Sequence, residues 1–590
     1  MIAKRLFAGI VVICAFACPP TALLQADPAS GKDLAGLWEA KLRLGPDVHG
    51  RLLIEHRGTD WRAEIAGRSA PVRVSKQMIA FELPEGRGSF KGMLEGGTKI
   101  IGHWIQPAGV QSGTAYASPV TFVRRGQERW CGDVSPLEET MTLYLHVKPR
   151  ADGSIGAFLR NPEVNVGRFI DVDHLEREGN LVRLVGKRSG DKKGTVLAEG
   201  VYRDDTIAIS LPSSGGTFDF QRVKKNTASD FFPRGRPTVS YLYTPPPELH
   251  DGWPTASLED VGMSREAVSR FIQMIIDTPI DSVHASEIHG VLIARHGKLV
   301  LEEYFHGEHR DKPHDTRSAA KSMTSTLVGA AIHAGVPLET STPVYQVMNN
   351  GTFPSDLEPR KRALTVENLL TMSSGLDCDD NSKSSPGNED VMQSQSAQPD
   401  WYRYTMDLRM VRQPGAKAIY ASCNPNLLGG VLARAAGRPL TELFRDLIAA
   451  PLQIRQYWMN LTPTGDVYMG GGVRFRPRDF MKLGQLMMNG GTWNGARVVS
   501  AEWCRRATSP LYRLRGLSYG YLWWVTEYPY KDRKVRAFFA GGNGGQIVLG
   551  VPDLDLLIAF YGGNYSDATS LVPQRVYVPK YILPAVDPVK

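Results

Sequence analysis

Residues 317–336, RSAAKSMTSTLVGAAIHAGV, decide how the second half of this chain is read. Met323, Leu327, Val328, Ala331 and Ile332 recur at the three-and-four spacing that lines one face of a helix. Ser318 and Lys321 stand three apart and therefore share a face. Ser318 falls at the first turn, where backbone N–H groups lack helical partners and the helix dipole favours negative charge. A hydroxyl there, with an amine one turn later, is an arrangement that activates a serine nucleophile. The plainer reading is an N-cap serine followed by a surface lysine, and for an isolated Ser-x-x-Lys it is the better one. The chain carries its own control: Ser189-Gly-Asp-Lys192 has the same spacing within the charged run KRSGDKKG, a solvated turn. Context must choose.

Outward from this helix, residues 250–590 alternate strand and helix signals. SLEDVGMSREAVSRFIQMIID is an amphipathic helix with an acidic start. GVLIARHGKLVLEEYF is a hairpin about His296-Gly297. LTVENLLTMSSGL, NLLGGVLARAAG, PLTELFRDLIAAPL and RPRDFMKLGQLMMNGG carry helical periodicity with glycine stops. Strand signals return in YGYLWWV, VRAFFAGG and QIVLGVPDLDLLIAFYGG. Strands from both ends around a helical middle predict an α+β domain: an antiparallel sheet flanked by helices. The polar insert from Asp377 to Asp400 is placed to cover a cleft. Its Asp377, Asp379 and Asp380 lack EF-hand spacing, so an exposed acidic loop is preferred to a calcium site.

Before this domain the style is all-β. Residues 34–125 and 138–224 are short alternating segments with glycine turns, closing on the similar pieces VTFVRRG and FDFQRVK. They predict two tandem β units of roughly 90 residues, barrels or sandwiches. Trp38, Trp61, Trp104 and Trp130 are candidate sugar-stacking rings, with core packing the preferred role. A proline-rich linker, 225–249, joins the units to the last domain.

Lys4 and Arg5 before the apolar run Leu6–Ala17 resemble an export signal over residues 1–26. A periplasmic or secreted destination is expected, with lipid attachment at Cys18 as the alternative. Cys131, Cys378, Cys423 and Cys504 follow, and an oxidising compartment would permit a Cys378–Cys423 bond. Their spacings do not suggest zinc. The net charge of +8 over 590 residues forms no dense basic stripe, which argues against nucleic-acid binding.

A rival serine exists. Gly516-Leu-Ser518-Tyr-Gly520 fits a Gly-x-Ser-x-Gly elbow, but strand-like residues follow it where a helix is needed. No histidine follows His333, so the histidine such an elbow requires is missing too. For Ser318 the upstream histidines are His289, His296 and His314; the last is read as substrate-facing or structural. The base is then a lysine amine or a tyrosine phenol acidified by cations. Lys321 fits the first. Tyr420, in QPGAKAIYASCNPNLLGG beside Ser422 and Asn424, is a candidate for the second. The run Gly541-Gly-Asn-Gly-Gly545 lets backbone approach a ligand closely, and a strand N–H there could pair with the Ser318 N–H as an oxyanion hole.

Taken in order, RSAAKSMTSTLVGAA, LTVENLLTMSSGLDCDD, PG…YASCNPNLLG, PRDFMKLGQLMMNGG and GGNGGQ resemble the serine β-lactamase and penicillin-binding-protein superfamily. The class C β-lactamase-like branch, with its esterases, D-aminopeptidases and 6-aminohexanoate-dimer hydrolases, is the nearer resemblance. It covers about residues 250–585 and implies a β-lactamase/DD-peptidase-like fold. It implies Ser318 as acylated nucleophile, Lys321 as its amine partner, Tyr420 as the tyrosine of a Tyr-x-Asn element, and the Asn543 N–H as oxyanion donor. Two positions depart from the pattern. Ser422 stands for asparagine, and Ala540-Gly541-Gly542 stands where the family has Lys-Thr-Gly or His-x-Gly. The absent cation argues against efficient β-lactam hydrolysis. The implied function is an exported serine hydrolase acting on a small ester or amide, needing no metal or cofactor. The alternatives are a non-catalytic envelope binder or sensor, with the β units contacting a cell-wall component, and a cell-wall D-amino-acid peptidase.

Overall fold

The computed structural model describes residues 31–163, 170–188, 193–224, 229–236, 238–395 and 397–586. Residues 1–26, read as a candidate export signal, and the Ser189–Lys192 control lie outside them.

The C-terminal domain is built on an eight-stranded antiparallel sheet. Its order is Lys298–Tyr304, Ile288–Arg295, Leu556–Gly562, Gln546–Val551, Arg533–Gly542, Trp524–Tyr530, Leu517–Tyr519, Tyr512–Leu514. Strands near both ends of the domain thus meet at the centre, as the hydrophobic pattern predicts. Ile288–Arg295 is buried at every position because both faces are covered. Val291 and Ile293 pack with the helix Arg265–Ile276 and the C-terminal helix Pro573–Ile582. Leu292 and Ala294 point the other way, into the core that holds the Ser318 helix. This period-two division is what an extended strand between two layers dictates. The rival Ser518 lies in the strand Leu517–Tyr519 of a hairpin, with no helix after it.

The Ser318 helix departs from the one-faced stripe. A 3₁₀ turn, Arg317–Ala319, leads into the helix Ala320–His333, and Ala320 to Ala331 is buried on all sides. Three of its hydroxyls are satisfied: Ser322 Oγ donates to Leu522 O at 2.7 Å, Thr324 Oγ1 to Met469 O at 2.8 Å and Thr326 Oγ1 to Ser322 O at 2.8 Å, whereas the buried Ser325 Oγ has no partner. Most buried polar groups are bonded in this way.

The N-terminal half differs from a simple tandem. The strand Gly36–Gly45 pairs with Glu139–Pro149 and Gly216–Arg222, closing an eight-stranded barrel with strands from residues 139–222. Residues 50–134 form a separate antiparallel sheet between the barrel's first and second strands. The expected boundaries 34–125 and 138–224 therefore do not follow the pairing: the first unit gives its opening strand to the second. Trp38, Trp104 and Trp130 are buried in these cores, and Trp61 stacks on Trp130 at 5.2 Å.

The inserted sheet runs into the C-terminal domain. Ala117 and Tyr116 pair with Met459 and Asn460; Tyr457 and Trp458 pair with Phe475 and Arg474; these pair with His314 and Asp315. One ladder thus connects the β region to the turn that carries Ser318. Around it His103 Nε2 meets Tyr457 Oη at 2.9 Å, and Trp458 Nε1 donates to Ser135 O at 2.9 Å. Arg160 of the barrel and Glu287 form a fully buried ion pair at 3.2 Å.

The Cys378–Cys423 bond is not formed. Both are buried free thiols, and Cys378 Sγ approaches Ser374 Oγ at 3.8 Å and Asn424 Oδ1 at 4.0 Å. The neighbouring Cys378 thiol, then burial, pushes Cys423 well above the usual thiol range.

Candidate active site

Ser318 is half-buried at the head of its helix, and Lys321 lies one turn on. The Lys321 ammonium donates to Ser318 Oγ at 2.9 Å and also to Gly470 O. It lies 5.1 Å from the centre of the Tyr420 ring. The structure therefore brings Ser318, Lys321 and Tyr420 together. Their electrostatics differ from a neutral amine base. Burial opposes the Lys321 charge, but Tyr420, Glu389 and Asp380 outweigh it and raise Lys321 above its ordinary value. These groups favour the charged form of Lys321.

Tyr420 is held as a buried aromatic plate. It stacks on Trp524, with centroids 5.9 Å apart, and Arg515 lies over it at 4.1 Å. Two cations thus flank one phenol. Ser422 does not reach the cavity lining. Fully buried, it donates from N–H and Oγ to Asp380 Oδ2 at 2.8 and 2.7 Å. The Asp380 N–H returns a bond to Tyr420 O at 2.9 Å. The residue in the asparagine position thus ties the tyrosine segment to the insert. Burial raises Asp380 against the pull of Lys321. Of the other insert acids, Asp377 pairs with Arg409 at 2.7 Å and Asp379 accepts from Asn381 N–H at 2.8 Å.

The glycine run meets the helix head. Gly541 and Gly542 end the strand opposite Ile547 and Gln546. A Cβ on Gly542 would lie 2.4 Å from Thr316 O and 3.0 Å from Ala319 N. Only a residue without one allows this strand edge to lie against the Ser318 turn. Asn543 follows and lines the same cavity as Ser318; its Oδ1 accepts the Ser566 N–H at 2.7 Å.

Arg317, immediately before Ser318, has φ 47°, a left-handed conformation costly for a side chain of its size. Asp315 holds it there, accepting its backbone N–H at 2.8 Å and forming an ion pair with its guanidinium at 3.1 Å. Burial disfavours the Asp315 charge, but Arg317 and Arg474 prevail and keep its carboxyl below the usual range. His314 is buried and bonded to His289 at 2.8 Å; burial, then His289, lowers it to about 3. It is a neutral structural ring.

In front of Ser318 lies a cavity of about 690 Å³. Several of its residues escaped sequence reasoning. Glu389, from the insert, accepts the Tyr468 hydroxyl at 2.5 Å, and Tyr468 precedes the Gly470-Gly471-Gly472 run that supplies the Lys321 acceptor. The triple glycine was a readable signal; the distant Glu389 and Arg515 carried none. Among the described residues no group of His, Cys, Asp and Glu is arranged to hold a metal ion.

The Beta-lactamase family profile matches residues 282–563. The 6-aminohexanoate-dimer hydrolase of Paenarthrobacter ureafaciens is 27% identical over 220 residues, 36% of this chain and 55% of that protein. An uncharacterised protein of Mycobacterium tuberculosis is 25% identical over 189 residues, 26% of this chain and 47% of its own. The chain thus spans about half the length of the curated relatives it matches. Among solved structures, a penicillin-binding-protein homologue from Caulobacter crescentus aligns with TM-score 0.40 and 17% identity, over 52% of this chain and 94% of that one. A family VIII carboxylesterase aligns with TM-score 0.40 and 15% identity, over 52% and 94%. The profile match and the curated relative support, for residues 282–563, the serine β-lactamase and penicillin-binding-protein superfamily.

Proposed function

We propose that the protein is an exported serine hydrolase that cleaves a small ester or amide through an acyl-serine intermediate. One observation carries the reading: Lys321 Nζ sits 2.9 Å from Ser318 Oγ, with Tyr420 against the same ammonium, at the wall of a cavity. Ser318 Oγ attacks the substrate carbonyl and forms a new C–O bond. Tyr420 enters this step as a phenolate, an anion that the adjacent Lys321 and Arg515 charges stabilise, and it takes that proton to become the neutral phenol. The carbonyl electrons move onto oxygen, where the N–H groups of Ser318 and Asn543 receive them. One such donor is worth about 3 kcal/mol of barrier. Collapse breaks the bond to the leaving group, which takes the proton from Tyr420. Water then repeats the sequence on the acyl-serine and releases the acid. The 6-aminohexanoate-dimer hydrolase and carboxylesterase likenesses support a hydrolase of this kind. The charged start of residues 1–26 supports export.

The cavity's charge supports a substrate without a carboxylate. Its three lining cations are already paired, Lys312 with Glu308, and Arg317 and Arg474 with Asp315. Ala540 supplies none. A neutral p-nitrophenyl ester should therefore exceed benzylpenicillin in kcat/KM by about 100-fold, the worth of one charge-assisted contact of roughly 3 kcal/mol. Intact-mass analysis with a fluorophosphonate tests the whole reading. The wild-type chain gains one adduct and Ser318→Ala gains none; labelling of Ser318→Ala would defeat the assignment. Multiple turnovers on any ester would separate a hydrolase from a binder that only traps its ligand.

A further inference from the structure

The cavity in front of Ser318 belongs to two parts of the chain. Ser318, Tyr468, Gly470 and Asn543 form its C-terminal wall. The opposite wall comes from the inserted β sheet and its return to the barrel: Val110, Gln111, Ser112 and Thr114, backed by Leu137 and Glu139. The acyl-transfer chemistry uses none of these residues.

The loop that makes this wall is built rather than draped. The buried Glu139 carboxylate accepts the N–H of Gln111 and of Ser112, each at 3.1 Å. The chain crosses that carboxylate at Gly109, where a Cβ would lie 2.0 Å from Oε1. The turn is closed by Gly113 N–H on Gly109 O at 3.0 Å, and Ser112 Oγ donates to Thr114 O at 3.2 Å. Its far end is tied to the other domain. Leu461 N–H donates to Ala115 O at 2.8 Å, Tyr116 pairs with Asn460, and Asn460 itself lines the cavity. Val110 stands at the cavity edge with 60% of its surface exposed, an apolar side chain with little packing of its own.

We propose that loop 109–114, stapled by Glu139, is the specificity-determining wall for hydrolysis at Ser318. The group beyond the scissile bond is seated between this loop and the Ser318 turn. The substrate is then a small molecule bounded on both sides, of the size a cavity of about 690 Å³ encloses, and not a cross-linked polymer. The proposal rests on the serine-hydrolase reading.

The full-length wild-type chain, Val110→Trp and Glu139→Ala are compared by kcat/KM on p-nitrophenyl acetate and p-nitrophenyl octanoate. Val110→Trp narrows the cleft from an exposed position. It should lower the octanoate-to-acetate ratio by about tenfold, a typical gain from pocket discrimination. Glu139→Ala frees the loop and should raise the ratio by about threefold. General structural damage would depress both substrates together. Ratios within about twofold of wild type in both variants, or shifts of the same sign, overturn the proposal. If Glu139→Ala does not fold, Val110→Trp decides alone on its own criterion. A wild-type chain that neither turns over an ester nor labels at Ser318 removes the hydrolase reading, and this proposal falls with it. An active wild type with an unmoved ratio removes the wall proposal alone.

Discussion

Arg515 at 4.1 Å and Lys321 at 5.1 Å from the centre of one tyrosine ring leave the Tyr420 oxygen in a field of two cations. Tyr420→Phe keeps the ring stacked on Trp524 and removes only the oxygen. Steady-state assays should then show kcat lower by about 10³-fold, while thermal melting stays near that of wild type. A comparable loss of stability would mean that Tyr420 is a packing residue. Lys321 plays a different part. Its charge is held by surrounding groups, and the sign of that linkage is fixed: a raised lysine value stabilises the fold below 10.5 and loses that contribution only at still higher pH. Lys321 therefore adds no titration to the rate profile at neutral pH.

The contact between the strand edge Gly541–Gly542 and the 3₁₀ turn Arg317–Ala319 sets the distance between Ser318 and Asn543. Gly542→Ala puts a methyl within 2.4 Å of Thr316 O, so strand or turn must move. Such a shift in oxyanion geometry should lower kcat by about 100-fold with acyl-serine labelling slowed in parallel, and labelling at the wild-type rate would exclude it. Elements of this kind were legible to the extent that their signals are local. Ser318 and Lys321 share a helix turn, and the glycine run ends a strand. The site residues Glu389, Arg515 and Tyr468 come from three separate segments, and only packing brings them near Lys321. The pairing that closes the barrel was hidden for a related reason. Gly36–Gly45 alternates equally well for any antiparallel neighbour, and its partner lies across a whole inserted sheet. The helix Ala320–His333 was legible as a helix, but its burial on every side depends on neighbours that its periodicity does not encode.

At the scale of the molecule, β region and C-terminal domain meet through a junction that refuses protons. Burial, then Arg445, lowers His103 to about 3, and burial holds His306 and His314 near the same value. Each is neutral when folded and titrates near 6.5 when unfolded. A depressed value contributes stability that is complete above 6.5 and drains away as pH falls toward 3. Each ring therefore adds about 1.4 kcal/mol per pH unit to the slope of stability in that window. His103→Gln should flatten urea-derived stability between about pH 4 and 6 by that amount; an unchanged slope would show that the ring is already charged in the folded state. The barrel's circular pairing also has a consequence for biosynthesis. Gly36–Gly45 leaves the ribosome roughly 100 residues before Glu139–Pro149 can hydrogen-bond to it. Throughout that interval the nascent chain carries a bare, adhesive edge, so a holding chaperone should matter most to this protein while the intervening sheet is still being translated.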